Sequence, residues 1–369
     1  MALAGTWFQR FLLPGLAFKA AVIGGGYATG RELAEFFLPS GPQGGLLAIV
    51  LAMLFWSIVC AATFAFALMT ASFEYRSFFT SLLGPGWIVF EAAYVLFAIL
   101  VLAVFGAAAG AIGAAVLHWP PAVGTLLLIA CICVVAAYGN VSVERLFKWV
   151  SIFLYAVYAI FVALSLHAFG GRIGAQLGNS APMHGWVEGG LTYASYNVVG
   201  AVIVLPMLKH LRSRRDALVA GALAGPLAMI PALLFFMCML AFYPGIASEP
   251  LPSDFLLTRL DFPAFHYLFQ LMIFLALLES GTGFVHAINE RVALAYRARR
   301  GLDLPMPMRL LITGAVLVGS IFLAQRFGLV ALIAHGYRAL AYVLLVIFVL
   351  PVMTAGVYRL LTHVGAPAR

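Results

Sequence analysis

Few side chains in this sequence can do chemistry, and most of them fall in three stretches. The first is Val22-Ile23-Gly24-Gly25-Gly26-Tyr27-Ala28-Thr29-Gly30-Arg31-Glu32, with Glu35 just beyond it. Each glycine costs a helix about 1 kcal/mol against Ala, so this apolar run is expected to break. In a membrane, the loosened backbone is tolerated only against protein or a wet cavity, which makes it half of a binding site. The structural alternative is a close-packing glycine face. The second stretch, Trp186 to Gly200, carries Gly189, Gly190, Tyr193, Ser195, Tyr196 and Asn197. Its two aromatic faces suit an alkylammonium by cation–π contact. After each break, the resumed half-helix offers N–H groups and a positive dipole end to a carboxylate.

The third stretch is Glu279-Ser280-Gly281-Thr282-Gly283-Phe284, running on to Asn289-Glu290-Arg291. Glu279, Thr282, His286 and Asn289 share one helical stripe. A carboxylate at membrane depth costs about 2.5–3.5 kcal/mol on insertion scales, so Glu279 is expected to hold a partner, a cation or a proton. The competing role is a bond to a frayed N–H of a broken helix. His286 reads as a packing residue, and Glu290 as either an inner gate with an arginine or a solvated helix end. Arg31 and Glu32 are candidates for an outer gate, against a local i,i+4 pair of Arg31 with Glu35. Glu91 is expected at the interface, with Tyr94 a weaker pocket candidate. No nucleophile triad, zinc-ligand set, P-loop or dinucleotide motif is visible, so neither an enzyme nor an organic cofactor is expected.

The elements that must position these residues follow from composition. The 369 residues are 64% hydrophobic and 9% charged, with a mean hydropathy of +1.07. That is an all-α polytopic membrane protein, and the continuously apolar runs exclude a β-barrel. The net charge of +8 sits in loops and reads as a topology signal, not as a nucleic-acid surface. Ten spans are expected at 16–38, 44–72, 82–117, 121–139, 145–169, 186–208, 216–243, 264–295, 309–326 and 329–361, within one transmembrane domain over 1–369. Lys and Arg, from Arg10 and Arg76 to Arg359 and Arg369, concentrate in the segments on the side of the N-terminus. Both termini are therefore expected in the cytoplasm, with the chain in the bacterial inner membrane. Cys60, Cys131, Cys133 and Cys238 lie in apolar runs and read as packing residues. Each interrupted span leads a set of five, so 16–169 and 186–361 read as an inverted repeat with a broken helix at the same place in each half.

Gly-Gly-Gly-Tyr-Ala-Thr-Gly-Arg-Glu, the Tyr-Ala-Ser-Tyr-Asn at 193–197 and the Glu279–Phe284 motif resemble the YkvI-like bacterial membrane proteins. That group is distantly similar to the amino acid–polyamine–organocation superfamily, with its LeuT-type five-plus-five fold. Arg31 stands where other members often carry Gln. The resemblance implies a secondary active transporter with substrate held at mid-membrane. Gly24, Gly25, Gly26, Tyr27, Ala28, Thr29, Gly30, Tyr193, Ser195, Tyr196, Asn197 and Glu279 are then the candidate substrate contacts. It also implies a sodium site between carbonyls of Val22 and Gly25 and hydroxyls of Ser280 and Thr282, with a proton on Glu279 as the other coupling route. The substrate class is a small zwitterion or amine, and the chain a monomer or homodimer. The rival function is a ligand sensor built on a transporter scaffold, without net transport.

Overall fold

The computed structural model describes residues 6–137, 140–178 and 183–362, and every regular element among them is helical. Tyr138 and Gly139, at the end of the expected fourth span, and Arg369 lie outside the described residues. The chain opens with α1 (Trp7–Phe11), α2 (Leu13–Val22), α3 (Gly25–Ala28) and α4 (Arg31–Phe36). There follow α5 (Gly41–Met69), α6 (Tyr75–Leu83), α7 (Trp87–Leu117), α8 (Pro121–Ala137) and α9 (Asn140–Leu177). The second half runs through α10 (Trp186–Asn197), α11 (Gly200–Ile203), α12 (Arg214–Leu240), α13 (Pro252–Leu260), α14 (Pro263–Arg300) and α15 (Met306–Ala331). It ends in α16 (Arg338–Leu344) and α17 (Val357–Thr362).

Six segments among the described residues are long and apolar enough to cross a membrane: Arg31–Met69, Tyr75–Leu117, Phe153–Leu177, Arg214–Leu240, Pro263–Arg297 and Met306–Thr362. Leu13–Val22 and Pro121–Val135 are apolar but shorter. The outer faces carry many large apolar side chains. On α5, Leu47, Val50, Leu54 and Ile58 form an exposed stripe at helical spacing, which suits hydrocarbon and not water. Inside the last segment, Gly328 takes φ 73°, a left-handed geometry natural only to glycine, and divides it into arms at 306–327 and 329–362. The second arm is not a uniform α-helix. Leu332–Tyr337, Leu345–Val349 and Val352–Gly356 are π-helical turns, one residue wider than an α-turn.

Two features hold the frame around the site. α5 crosses α12 so closely that a Cβ at Gly221 would lie 2.3 Å from the Ala61 backbone N, and one at Gly225 2.1 Å from the Met53 carbonyl. The N-terminal helices are pinned to the start of α12. Arg10 grips the Asp216 carboxylate through Nε at 2.8 Å and Nη2 at 2.7 Å, while Asp216 also accepts the Arg212 N–H at 3.0 Å.

Candidate functional site

The expected spans 16–38 and 186–208 are each discontinuous. α2 ends at Val22, and the Gly24 N–H turns back onto the Val22 carbonyl at 2.8 Å. The chain resumes in α3 and turns again at Gly30, whose φ of 79° and close contact with the Phe235 ring admit only glycine. In the second half, α10 stops at Asn197, and Val198 and Val199 lead to the short α11. The second break packs on the end of α2, where a Cβ at Gly200 would meet the Phe18 ring at 3.1 Å and the Ala21 Cβ at 3.4 Å.

A cavity of about 230 Å³ opens where these interruptions face α7 and α14. Val22 and Gly24 line it from the first interruption, Tyr196 and Asn197 from the second, and Ser280 from α14. Phe97 and Phe105 of α7, Phe284 of α14 and Tyr337 of the first π-turn give it aromatic walls. Glu32, only 4% exposed, projects into it from α4 and accepts the Tyr196 hydroxyl at 2.6 Å. The Tyr196 ring leans on Tyr337 with centroids 4.5 Å apart. Among the described residues lining the cavity, Glu32 is the one carboxylate, and no Lys, Arg or His stands with it.

Part of the cavity wall is exposed, at Ala20, Ile203 and Gly283. Beyond α3 the protein is sealed around Arg31, 5% exposed, which donates to the carbonyls of Ala247 at 2.9 Å and Glu249 at 3.0 Å and pairs with Glu35 at 2.6 Å. Beside it the Ser253 N–H donates to the Thr29 carbonyl at 3.0 Å, and both residues are fully buried. Phe36, Phe37 and Tyr193 form an aromatic layer behind the seal, with Phe37 and Tyr193 centroids 4.8 Å apart. On α14, Arg291 pairs with Glu91 at 2.8 Å between the rings of Tyr75 at 3.6 Å and Tyr94 at 3.5 Å. Tyr94 is itself a cavity wall. Charge-assisted bonding and desolvated cation–π contact are each worth about 1–3 kcal/mol. Arg291→Ala is therefore expected to lower the thermal midpoint of the purified protein, and Arg291→Lys to recover only part of it, since an ammonium cannot stack as a plane. Equal midpoints for the Lys variant and the wild type would remove the stacking from the account.

The sequence-selected residues divide among these places. Val22, Gly24, Tyr196, Asn197 and Ser280 line the cavity. Arg31 takes the i,i+4 pair with Glu35, and Glu32 turns from it into the cavity. Thr29 and Gly30 belong to the seal, while Gly25 and Gly26 supply the backbone of α3. Tyr193 and Ser195 are buried behind the cavity wall. Tyr27 and Ala28 face a separate lateral cavity of about 400 Å³ with Lys19, whose ammonium sits 4.1 Å from the Tyr155 ring centroid. Glu279 is half-buried near that same Tyr155 and does not line the central cavity. Of the four expected sodium ligands, Val22 and Ser280 reach the cavity, whereas the Thr282 hydroxyl is bonded to the Leu278 carbonyl at 2.8 Å. Glu290 pairs with Arg309 at 3.1 Å on a half-exposed face. The sequence reading missed Phe97, Phe105, Phe284 and Tyr337 as walls, and it passed over Arg291 for Glu290. The i,i+3 placement of Glu91 and Tyr94 was the available signal for the Arg291 cluster.

The same helical arrangement occurs in MhsT in complex with L-phenylalanine, 17% identical, with a TM-score of 0.62 over 94% of this chain and 87% of MhsT. It occurs also in the Eremococcus coleocola manganese transporter, 14% identical, with a TM-score of 0.57 over 94% of this chain and 78% of that one. The chain thus has the LeuT-type fold. No family model matches the sequence, and no curated protein does.

Proposed function

We propose that this chain is a secondary active transporter that carries a small zwitterionic or cationic organic solute by alternating access. The observation that carries the reading is a solute-sized cavity at the meeting of two interrupted helices, with an exposed stretch of wall and, beyond α3, the buried Arg31 contacts. Interrupted helices at mid-membrane recur where solute and coupling ion bind in transporters, and the two structural neighbours are transporters with this fold. The ten-span inverted repeat over 16–169 and 186–361, in line with the YkvI-like resemblance, puts the two breaks at corresponding places. The Lys and Arg asymmetry puts both termini in the cytoplasm. An organic solute fits better than a divalent metal: among the described residues no group of three or more His, Cys, Asp or Glu gathers as a ligand set.

The test is uptake by the full-length protein in proteoliposomes carrying an imposed Na⁺ or pH gradient, with labelled amino acids and amines. Accumulation above the equilibrium level is expected for at least one solute and one gradient. Saturable binding without accumulation under either gradient would overturn the transporter and leave the sensor.

A further inference from the structure

We propose that the central cavity exchanges an organic monocation for a proton on one shared group, the Glu32 carboxylate. The proposal rests on the reading of this cavity as the solute site and names the solute's charge and the coupling.

The charge inside the cavity is one-sided. Glu32 is buried, and no Lys, Arg, His or second carboxylate lines the space with it among the described residues. A zwitterion would bring a carboxylate that finds no cationic side chain here, next to a carboxylate already present. A solute carrying only a positive charge meets an anion and aromatic faces, Tyr196 and Tyr337 on one wall and Phe97 and Phe284 on the others. That is the chemistry that holds an ammonium, by ion pairing at its head and cation–π and apolar contact around it.

The surroundings of Glu32 also fix what happens without the solute. From α10 it faces Tyr196, which donates to it at 2.6 Å, with Tyr193 behind. The first π-turn presents Tyr337, α7 presents Tyr94, and α14 presents Ser280. On its own helix, Arg31 is committed to Glu35 and the two loop carbonyls, and Glu35 is committed to Arg31. With Asn197 of α10, every polar side chain lining the cavity beside Glu32 is thus an uncharged hydroxyl or amide. A bare carboxylate in such surroundings is costly, so the empty site holds a proton. An arriving ammonium pairs with the carboxylate, and the proton leaves past the exposed wall at Ala20, Ile203 and Gly283. Charge balances: one monocation enters and one proton departs. Because either occupant neutralises the carboxylate and both cannot, the carrier moves loaded with one or the other, which is exchange.

The experiment uses the purified full-length protein and three amine and amino acid pairs differing only by a carboxyl: 2-phenylethylamine with L-phenylalanine, isobutylamine with L-valine, and ethanolamine with L-serine. Binding is measured by calorimetry in two buffers of different ionisation enthalpy, which gives the protons released. At least one amine is expected to bind about tenfold or more tighter than its amino acid, an interval readily resolved. Its binding should release up to one proton and weaken as pH falls, approaching about tenfold per unit once Glu32 is protonated in the free protein. Glu32→Gln keeps an oxygen for the Tyr196 hydroxyl; it should retain its thermal midpoint, lose amine affinity and release no proton. The proposal is overturned if an amino acid binds as tightly as its amine, if binding amines release no proton, if Glu32→Gln binds them unchanged, or if none of the three amines binds. Failure of the cavity reading looks different. Ala287→Trp fills the cavity wall on α14, and if every solute that binds does so unchanged in that variant, the site lies elsewhere.

Discussion

Arg31→Gln is expected to unlock the sealed face of the cavity. The guanidinium is almost fully buried and serves three acceptors at once, the Ala247 and Glu249 carbonyls and the Glu35 carboxylate. Glutamine is too short to reach all three and carries no charge, so Glu35 and at least one carbonyl are left unsatisfied in a dry place. Removing one partner from a buried charged pair costs about 3–5 kcal/mol. That loss falls on the sealed state alone, because once the loop before α13 parts from α4 these groups meet water. A difference of about 3 kcal/mol moves a two-state equilibrium by roughly 100-fold. The reporter is Ser253→Cys, at a fully buried position that donates its backbone N–H to Thr29 within the seal. Its reaction with a membrane-impermeant maleimide should be slow in the otherwise unchanged protein and at least tenfold faster when Arg31→Gln is added. An unchanged labelling rate would mean that the aromatic layer of Phe36, Phe37 and Tyr193, not Arg31, holds this face shut.

The second large effect lies far from any polar group. Gly221→Val should leave little folded protein. A Cβ at this position would stand 2.3 Å from both the N and the Cα of Ala61, and 2.7 Å from the Cys60 carbonyl carbon. These are backbone atoms of a continuous helix, so neither rotamer change nor local shift relieves the clash, and α5 and α12 must move apart. Overpacking in a core costs typically 1–3 kcal/mol where side chains yield; here, where none can, the loss is expected to exceed about 3 kcal/mol. Gly319→Ala is the control. Its added methyl meets nothing within 4 Å, and replacing a helical glycine is expected to gain about 0.5–1 kcal/mol. Monodisperse yield and thermal midpoint of the purified variants check both. A Gly221→Val protein as stable as the wild type would mean that the two helices do not touch as closely as described.

What the sequence disclosed and what it withheld follow from the range of the forces involved. The interruptions at Gly24 and Val198 were legible because they are local: glycine content and polar residues in an apolar run act within a few positions. The break in α15 at Gly328 was likewise bracketed by the expected spans ending at 326 and starting at 329. Glu279 drew attention as a carboxylate in a long apolar run, yet depth along a helix says nothing about azimuth, and it turns toward α9 instead of the cavity. Glu32 was noticed beside Arg31 and given a shared role, but neighbours in sequence on a helix point about 100° apart. That rotation sends one to the loop carbonyls and the other to Tyr196. The walls supplied by Phe97, Phe105, Phe284 and Tyr337 could not be singled out, since a phenylalanine facing a cavity and one facing lipid look alike among the 30 in the chain. Arg291 was hidden for another reason: its partners Glu91, Tyr75 and Tyr94 lie about two hundred residues away.

The three wide turns of the last arm bear on how this chain can change length. Each behaves as one residue looped into an α-helix, so a single deletion within Leu332–Tyr337, Leu345–Val349 or Val352–Gly356 can restore an ordinary turn without breaking the helix. Because the extra residue is taken up within the turn, the helix that follows keeps nearly its place and facing, so the cost of shortening is local. It is highest in the first wide turn, which carries Tyr337 on the cavity wall. The two later turns hold no residue of that wall, so single residues should be gained and lost there while the turn that carries Tyr337 keeps its count.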